Sequence, residues 1–436
     1  ASFINAVLSI ATFFVLVNFK LNIYYSFIYA LFFSILAYPT SGTPFVDHHS
    51  AFLSLLGIYC LILGIKKEEI KYWIALPIFF IFAFLSKQVP SSYVILSTIF
   101  ILLFYLFLKR KFFWIKYAFI SSSLCIIFLL IFGKTQSISL NSFFEQYIYY
   151  PQTIASNRFD NLTFSFSGVI DHFKFIYIAI LPLFFINLKK IIKERDYLYN
   201  NNFYYFLILF FFTFSLIFHQ LLTRNQTFIF FLIPILFAFS HIYFVQFSSN
   251  LKKLLPWILI SVCLFVTVKY HIRFNENRKF HELNYVDFNL FTDPTKIDLK
   301  FLGLKWITPE YKNEPNLEID LINDIKLHLL NDKRNKMLMT NYSFFSSILN
   351  EKLHSPSRWY IFDGTDYPLK GNKYFLNYKN LLIKIIKSNN IEVIYTIDPV
   401  ENSLIYTYLD KNCFTESEIS NILNSFVIKK CLDING

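Results

Sequence analysis

Glycine is scarce in this chain, with 9 in 436 residues, and methionine is scarcer still, with 2. No pair of hydropathy repeats and no Gly- or Pro-broken apolar segments stand out, which argues against a transporter built from inverted repeats. No basic stripe interleaved with aromatics is present, so the net charge of +12 does not indicate nucleic-acid binding. No basic n-region precedes the first apolar stretch, and no signal-peptide cleavage pattern is visible. Internal repeats and low-complexity linkers are also missing. What is abundant is hydrophobic: 55% of residues, 56 of them Phe and 29 Tyr. With Lys, Ile and Asn also plentiful, this composition follows the codon usage of an AT-rich genome. The Phe content is therefore no evidence for an aromatic cofactor box.

The mean hydropathy of +0.44 belongs to a polytopic membrane protein rather than a soluble globule. About ten apolar segments on the length scale of a bilayer crossing fill the first ~270 residues. They lie near 2–18, 22–38, 49–65, 71–86, 92–108, 114–132, 171–187, 203–219, 225–247 and 255–270. Basic residues crowd alternate gaps: Lys66, Lys67 and Lys71; Lys109, Arg110, Lys111 and Lys116; Lys189, Lys190, Lys193 and Arg195; Lys252 and Lys253. The positive-inside rule makes these gaps cytoplasmic. The gaps at 39–48, 87–91, 133–170 and 219–224 then lie outside, as do both chain ends. A start at Ala1 with an outside N-terminus is expected of a chain lacking one upstream helix and one outer loop.

Beyond about residue 271 charge and Asn rise and apolar runs shorten. The expected organisation is a transmembrane helical domain at 1–272 and a small extracytoplasmic α/β domain at 273–436. Met337–Thr340, Trp359–Phe362, Ile391–Ile397 and Phe426–Cys431 read as strands. Segments near 318–332, 343–352, 376–388 and 415–424 read as helices, and this alternation gives an α/β layer. Cys60, Cys125 and Cys263 fall in apolar segments as small hydrophobes. Cys413 and Cys431 flank the last expected helix, and an oxidising compartment would let them form a disulfide.

The residues able to do chemistry sit in the outer gaps. Asp47, His48 and His49 fall where one apolar segment ends and the next begins. A carboxylate beside imidazoles suits a divalent metal ion, with Asp47 and His49 as ligands, or substrate binding through Asp47 and His48. Asp47 also suits a helix N-cap, and the two roles are compatible. Adjacent histidines point apart on a helix, so at most one is a ligand. Lys87 and Gln88 follow an apolar segment on the side where lysine is disfavoured; an ionisable group at such depth is a functional candidate, with a lipid-linked phosphate as partner. Tyr147 and Arg158 lie in the long aromatic gap, which suits an interfacial helix over a site. Arg224 and Gln226 open a helix from outside, where guanidinium and free N–H groups bind an anion together. Each has a plainer reading: Lys87 as a snorkelling lysine, Arg224 as an interfacial anchor.

This arrangement resembles the GT-C superfamily of membrane glycosyltransferases, which includes protein O-mannosyltransferases and lipid A aminoarabinose transferases. The resemblance lies in topology across the whole chain and not in any diagnostic string. It implies an inverting transfer of a sugar from a polyprenyl-phosphate carrier to an envelope acceptor on the outer face of a bacterial inner membrane. It places the catalytic Asp in a first outer loop that this sequence does not show, so no residue is assigned as the base. Val46-Asp47-His48-His49 then falls in the family's second outer loop. Other readings are an O-antigen ligase or polymerase, a lipid-linked glycan transporter and a non-enzymatic envelope scaffold. A terminal α/β domain counts against the ligase, and a scaffold has no need of Lys87 and Arg224.

Overall fold

The computed structural model describes residues 2–37, 46–154, 162, 164–223, 228–247, 254–277, 283 and 286–429. The chain forms two compact units: Ala1–Ile148 with Asn157–His281, and Tyr149–Ser156 with Glu282–Gly436.

The first unit is helical. Its helices are α1 (Ser2–Asn18), α2 (Ile23–Ala37), α3 (Val46–Lys67), α4 (Ile70–Ser86), α5 (Gln88–Lys109) and α6 (Phe113–Thr135), followed by α7 (His172–Lys193), α8 (Asn201–Thr223), α9 (Leu232–Phe247) and α10 (Leu255–His271). Six helical stretches among the described residues are long and apolar enough to cross a membrane: Val46–Lys67, Gln88–Lys109, Phe113–Thr135, Ser167–Lys193, Asn201–Thr223 and Leu255–Asn277. The other four apolar helices have 10–17 residues. Helix α6 makes the physical case most clearly. It buries only Trp114 and Ser121, leaving Phe119, Leu124, Phe128 and Ile131 between 60% and 68% exposed. A surface this apolar is stable only against lipid or another protein.

Two glycines set the closest helix pair. A Cβ at Gly57 would lie 2.6 Å from the Phe80 ring, and one at Gly64 would lie 3.1 Å from Trp73. Helix α4 therefore packs its aromatic rings directly onto the α3 backbone. Between α6 and α7, a helical turn at Leu140–Phe143 runs into a π-helical stretch at Phe144–Tyr149. The long aromatic gap thus contains helical structure, as expected.

The second unit contains α11 (Pro315–Asn331), β1 (Lys336–Met339), α12 (Phe345–Leu349), α13 (Phe375–Ser388), β2 (Val393–Ile397), α14 (Ser403–Tyr408), β3 (Phe414–Ser420) and β4 (Leu423–Ile428). The sheet order is β1-β2-β4-β3, with β1 and β2 parallel and the other pairs antiparallel. Side chains alternate across it with the strand period of two. Met337, Met339 and Ile394 join α13 residues Leu382, Ile383 and Ile386 on one face. Leu338, Val393, Tyr395 and Ile397 join α11 residues Ile319, Ile322 and Ile325 on the other.

Two expected elements differ. Residues 415–424 form most of the β3–β4 hairpin and not a helix, because β3 is an edge strand held by pairing with β4. Trp359–Phe362 is irregular and not a strand: only Tyr360 is buried, and its amide donates to Asn341 Oδ1 at 2.8 Å. Cys413 is disulfide-bonded, while Cys60, Cys125 and Cys263 are free. Its expected partner, Cys431, lies outside the described residues.

Two carboxylates lock this unit. Glu318, 1% exposed, accepts from Trp306 Nε1 and Thr308 Oγ1, both at 2.8 Å, and from the Tyr342 hydroxyl at 2.9 Å. Glu318→Leu strands three donors, at about 1–3 kcal/mol each. Hydrogen exchange over β1 and β2 in the full chain should then accelerate strongly, with Glu318→Gln milder; unchanged exchange would show the network to be dispensable. Asp332 caps α11 and accepts from Arg334 and from the Tyr395 hydroxyl at 2.7 Å. Burial works to raise its pKa, but the guanidinium and the hydroxyl outweigh it and hold the carboxyl well below the usual range. A depressed folded pKa adds stability above the unfolded value of about 3.9, lost as pH falls towards the folded value. Asp332→Asn should therefore be less stable than the wild type at pH 7, and the gap should shrink below about pH 4. A gap that does not change with pH would sink this assignment.

Candidate functional site

Asp47 lies in the first turn of α3, where its side chain is only 10% exposed. Two basic groups face it. Lys87 Nζ lies 3.4 Å from Oδ2, and His219 Nε2 lies 3.7 Å from Oδ1. These groups come from three places in the sequence: the start of α3, the joint between α4 and α5, and the last turns of α8.

The joint is built to present Lys87. Its backbone is extended, at φ −158° and ψ 135°, which ends α4 and lets the side chain leave the helix axis. The Lys87 carbonyl accepts from Ser50 Oγ at 3.1 Å and from Ser91 Oγ at 2.7 Å, so α3 and α5 both hold it. Gln88 and Tyr147, expected to bind substrate, brace this joint. Gln88 Nε2 donates to the Tyr147 carbonyl, and the Tyr147 hydroxyl donates to the Phe84 carbonyl, both at 2.6 Å. The π-helical stretch is thereby tied to the end of α4.

His48 is buried, and its Nε2 accepts from the Phe228 amide at 3.1 Å. That bond fixes the entry to α9. His49 is half-buried on α3. No group of three or more His, Cys, Asp or Glu side chains suited to a metal ion occurs among the described residues. Asp47 has the Lys87 ammonium and the His219 imidazole as neighbours. Arg158, Arg224 and Gln226 lie outside the described residues. His219 was not singled out from the sequence. Its signal was available: a His-Gln pair at the end of an apolar segment is an ionisable intrusion of the kind that marks function.

A groove of about 1250 Å³ runs along α4, α5 and α6 and under the turn at 137–144. Its walls are apolar, including Phe80, Leu102, Leu103 and Phe119. One end is floored by Trp73, stacked on Trp114 at 5.7 Å. The other end carries Lys134, Ser137 and Ser139, together with Phe84 and Leu85 just before Lys87. The apolar lining suits a hydrocarbon chain, and Leu85 in it is two residues before Lys87 in the sequence. The chain matches no protein-family model and no curated protein.

Proposed function

We propose that this chain is a membrane glycosyltransferase of the GT-C kind, taking its sugar from a polyprenyl-phosphate donor. The observations that support this reading best are the Lys87–Asp47–His219 cluster and an apolar groove whose lining includes Leu85, two residues before Lys87. A lipid-borne phosphate needs both parts: a hydrocarbon channel for the tail and a fixed cation for the head.

In this reading the acceptor hydroxyl oxygen attacks the anomeric carbon with inversion and gives its proton to a general base, a role to which no residue here is assigned. The bond from that carbon to the phosphate oxygen breaks, and its electron pair leaves with the carrier. Negative charge grows on the phosphate in the transition state, so a preorganised ammonium lowers the barrier. Asp47 holds Lys87 in place and orients the acceptor, with His219 fixing the other carboxylate oxygen. All ten apolar helices cross the membrane of the bacterial cell. The basic gaps at 66–71, 109–116, 189–195 and 252–253 are cytoplasmic, and the cluster and the α/β unit lie on the outer face, because Lys and Arg resist translocation.

Two measurements test this. Full-length protein in lipid nanodiscs should release free polyprenyl phosphate from a labelled polyprenyl-phosphate sugar. Movement of the intact lipid-linked sugar between leaflets without transfer would overturn the reading in favour of a transporter. Cysteines placed in 109–116 should resist a membrane-impermeant thiol reagent in sealed cells, and cysteines in 300–430 should react; the reverse pattern would invert the topology.

A further inference from the structure

At the ends of α7 and α10 three cations gather on one row of aromatic rings. Lys174 Nζ lies 5.9 Å and Lys269 Nζ 5.1 Å from the centroid of the Phe175 ring. Phe175 packs edge-on against Tyr270 at 5.8 Å, and Tyr270 lies 5.8 Å from Phe274. The Arg273 guanidinium carbon lies 5.3 Å from the Phe274 centroid. Asp171 pairs with Lys174 at 2.7 Å. Asp171 also acts on Lys269 through space, short of ion-pair distance, and Glu276 follows three residues after Arg273; neither Lys269 nor Arg273 has a carboxylate within ion-pair distance among the described residues.

This arrangement is costly by itself. Lys269 and Arg273 are four apart on one helical run, and like charges at that spacing repel. An anion seated between them would turn the repulsion into attraction, with the guanidinium able to grip two oxygens at once. The flank of the site says what kind of anion. Phe265 is 60% exposed, and Leu264, Val268 and Ile178 are also open, on helices long and apolar enough to cross a membrane. That surface requires hydrocarbon cover, so an anion reaching this spot arrives attached to acyl chains. Aromatic rings beneath cations at a helix end match the depth of the headgroup zone.

We propose that Lys174, Lys269 and Arg273 bind the phosphate of an anionic membrane phospholipid. The site shares no residue with the Lys87 cluster or the groove, and it stands whether or not the chain transfers sugar.

Native mass spectrometry of the full-length, delipidated protein in detergent tests it. Palmitoyl-oleoyl phosphatidylglycerol should bind at least about tenfold tighter than the phosphatidylcholine with the same chains, and each cation changed to Gln should cost about fivefold. The triple variant Lys174→Gln, Lys269→Gln, Arg273→Gln should lose the preference, and Lys116→Gln should keep it. Arg273→Gln alone gives the same reading should the triple variant fail to fold. Equal binding of the two lipids by the wild type, or an unchanged preference in the variants, would overturn the proposal. So would complete displacement of phosphatidylglycerol by millimolar inorganic phosphate, which would mark a site for free anions.

Discussion

Lys87→Ala should cut transfer from a polyprenyl-phosphate sugar by at least about tenfold, or ~1.4 kcal/mol of barrier. The loss should appear in kcat more than in KM, because the ammonium matters most when the carrier phosphate gains charge in the transition state. A second effect has to be separated from this one. Removing Lys87 leaves Asp47, only 10% exposed, without its ammonium partner, and a buried charge stripped of its partner is destabilising. The double variant Asp47→Asn, Lys87→Ala removes both charges and should regain the thermal stability lost in Lys87→Ala. It should not regain the rate. Recovery of turnover along with stability would mean that Lys87 acts only as a counter-ion. Near-normal kcat in Lys87→Ala itself would reduce the residue to a snorkelling lysine.

Sequence and structure agree where the physics is local. Apolar runs of bilayer length became helices because backbone groups away from water must bond within their own segment. Asp47 and Lys87 stood out because each is a charged residue at the end of such a run, and the structure brings them to 3.4 Å. His219 carried the same kind of signal, an ionisable group at the end of an apolar segment, and was passed over; its distance to Asp47, 172 positions away, ties it to the cluster. Gln88 and Tyr147 were singled out as substrate-binding residues; what their sequence did not signal is the pair of hydrogen bonds by which they also brace the α4–α5 joint. The second unit shows the same limit. Residues 415–419 are all exposed, so no amphipathic pattern marks them as a strand; their state is set by β4. Trp359, Ile361 and Phe362 carry an apolar composition suited to a strand yet stay at the surface, in a loop held by the Tyr360 and Ile361 amides. The groove has no sequence signature, since it is the space three helices leave between them.

That space gives the last expectation its force. Gly57 is the point where α4 touches α3, and Phe80 is both the ring that covers it and a wall of the groove. In Gly57→Ala the new methyl would lie 2.6 Å from Phe80 Cε1 and 2.8 Å from Cδ1, so the ring must move. Because Phe80 lines the groove, a shift of its ring changes the groove's shape. The helix itself gains, since Ala is a better helix former than Gly. Overpacking costs about 1–3 kcal/mol, and here that cost falls on the space a lipid tail would fill. Gly57→Ala should therefore fold, cross the membrane and raise KM for the polyprenyl donor by about tenfold, which is within that range. Gly64→Ala is a different case, because Trp73 is already stacked on Trp114 and cannot turn aside. It should lower stability more than it changes KM. The decisive measurement is rescue: Phe80→Ala in the Gly57→Ala background removes the displaced ring, reopens the groove and should return KM to near the wild-type value. A donor KM that ignores Gly57→Ala, or a defect that Phe80→Ala fails to relieve, would show that the carrier's tail lies elsewhere on the helices.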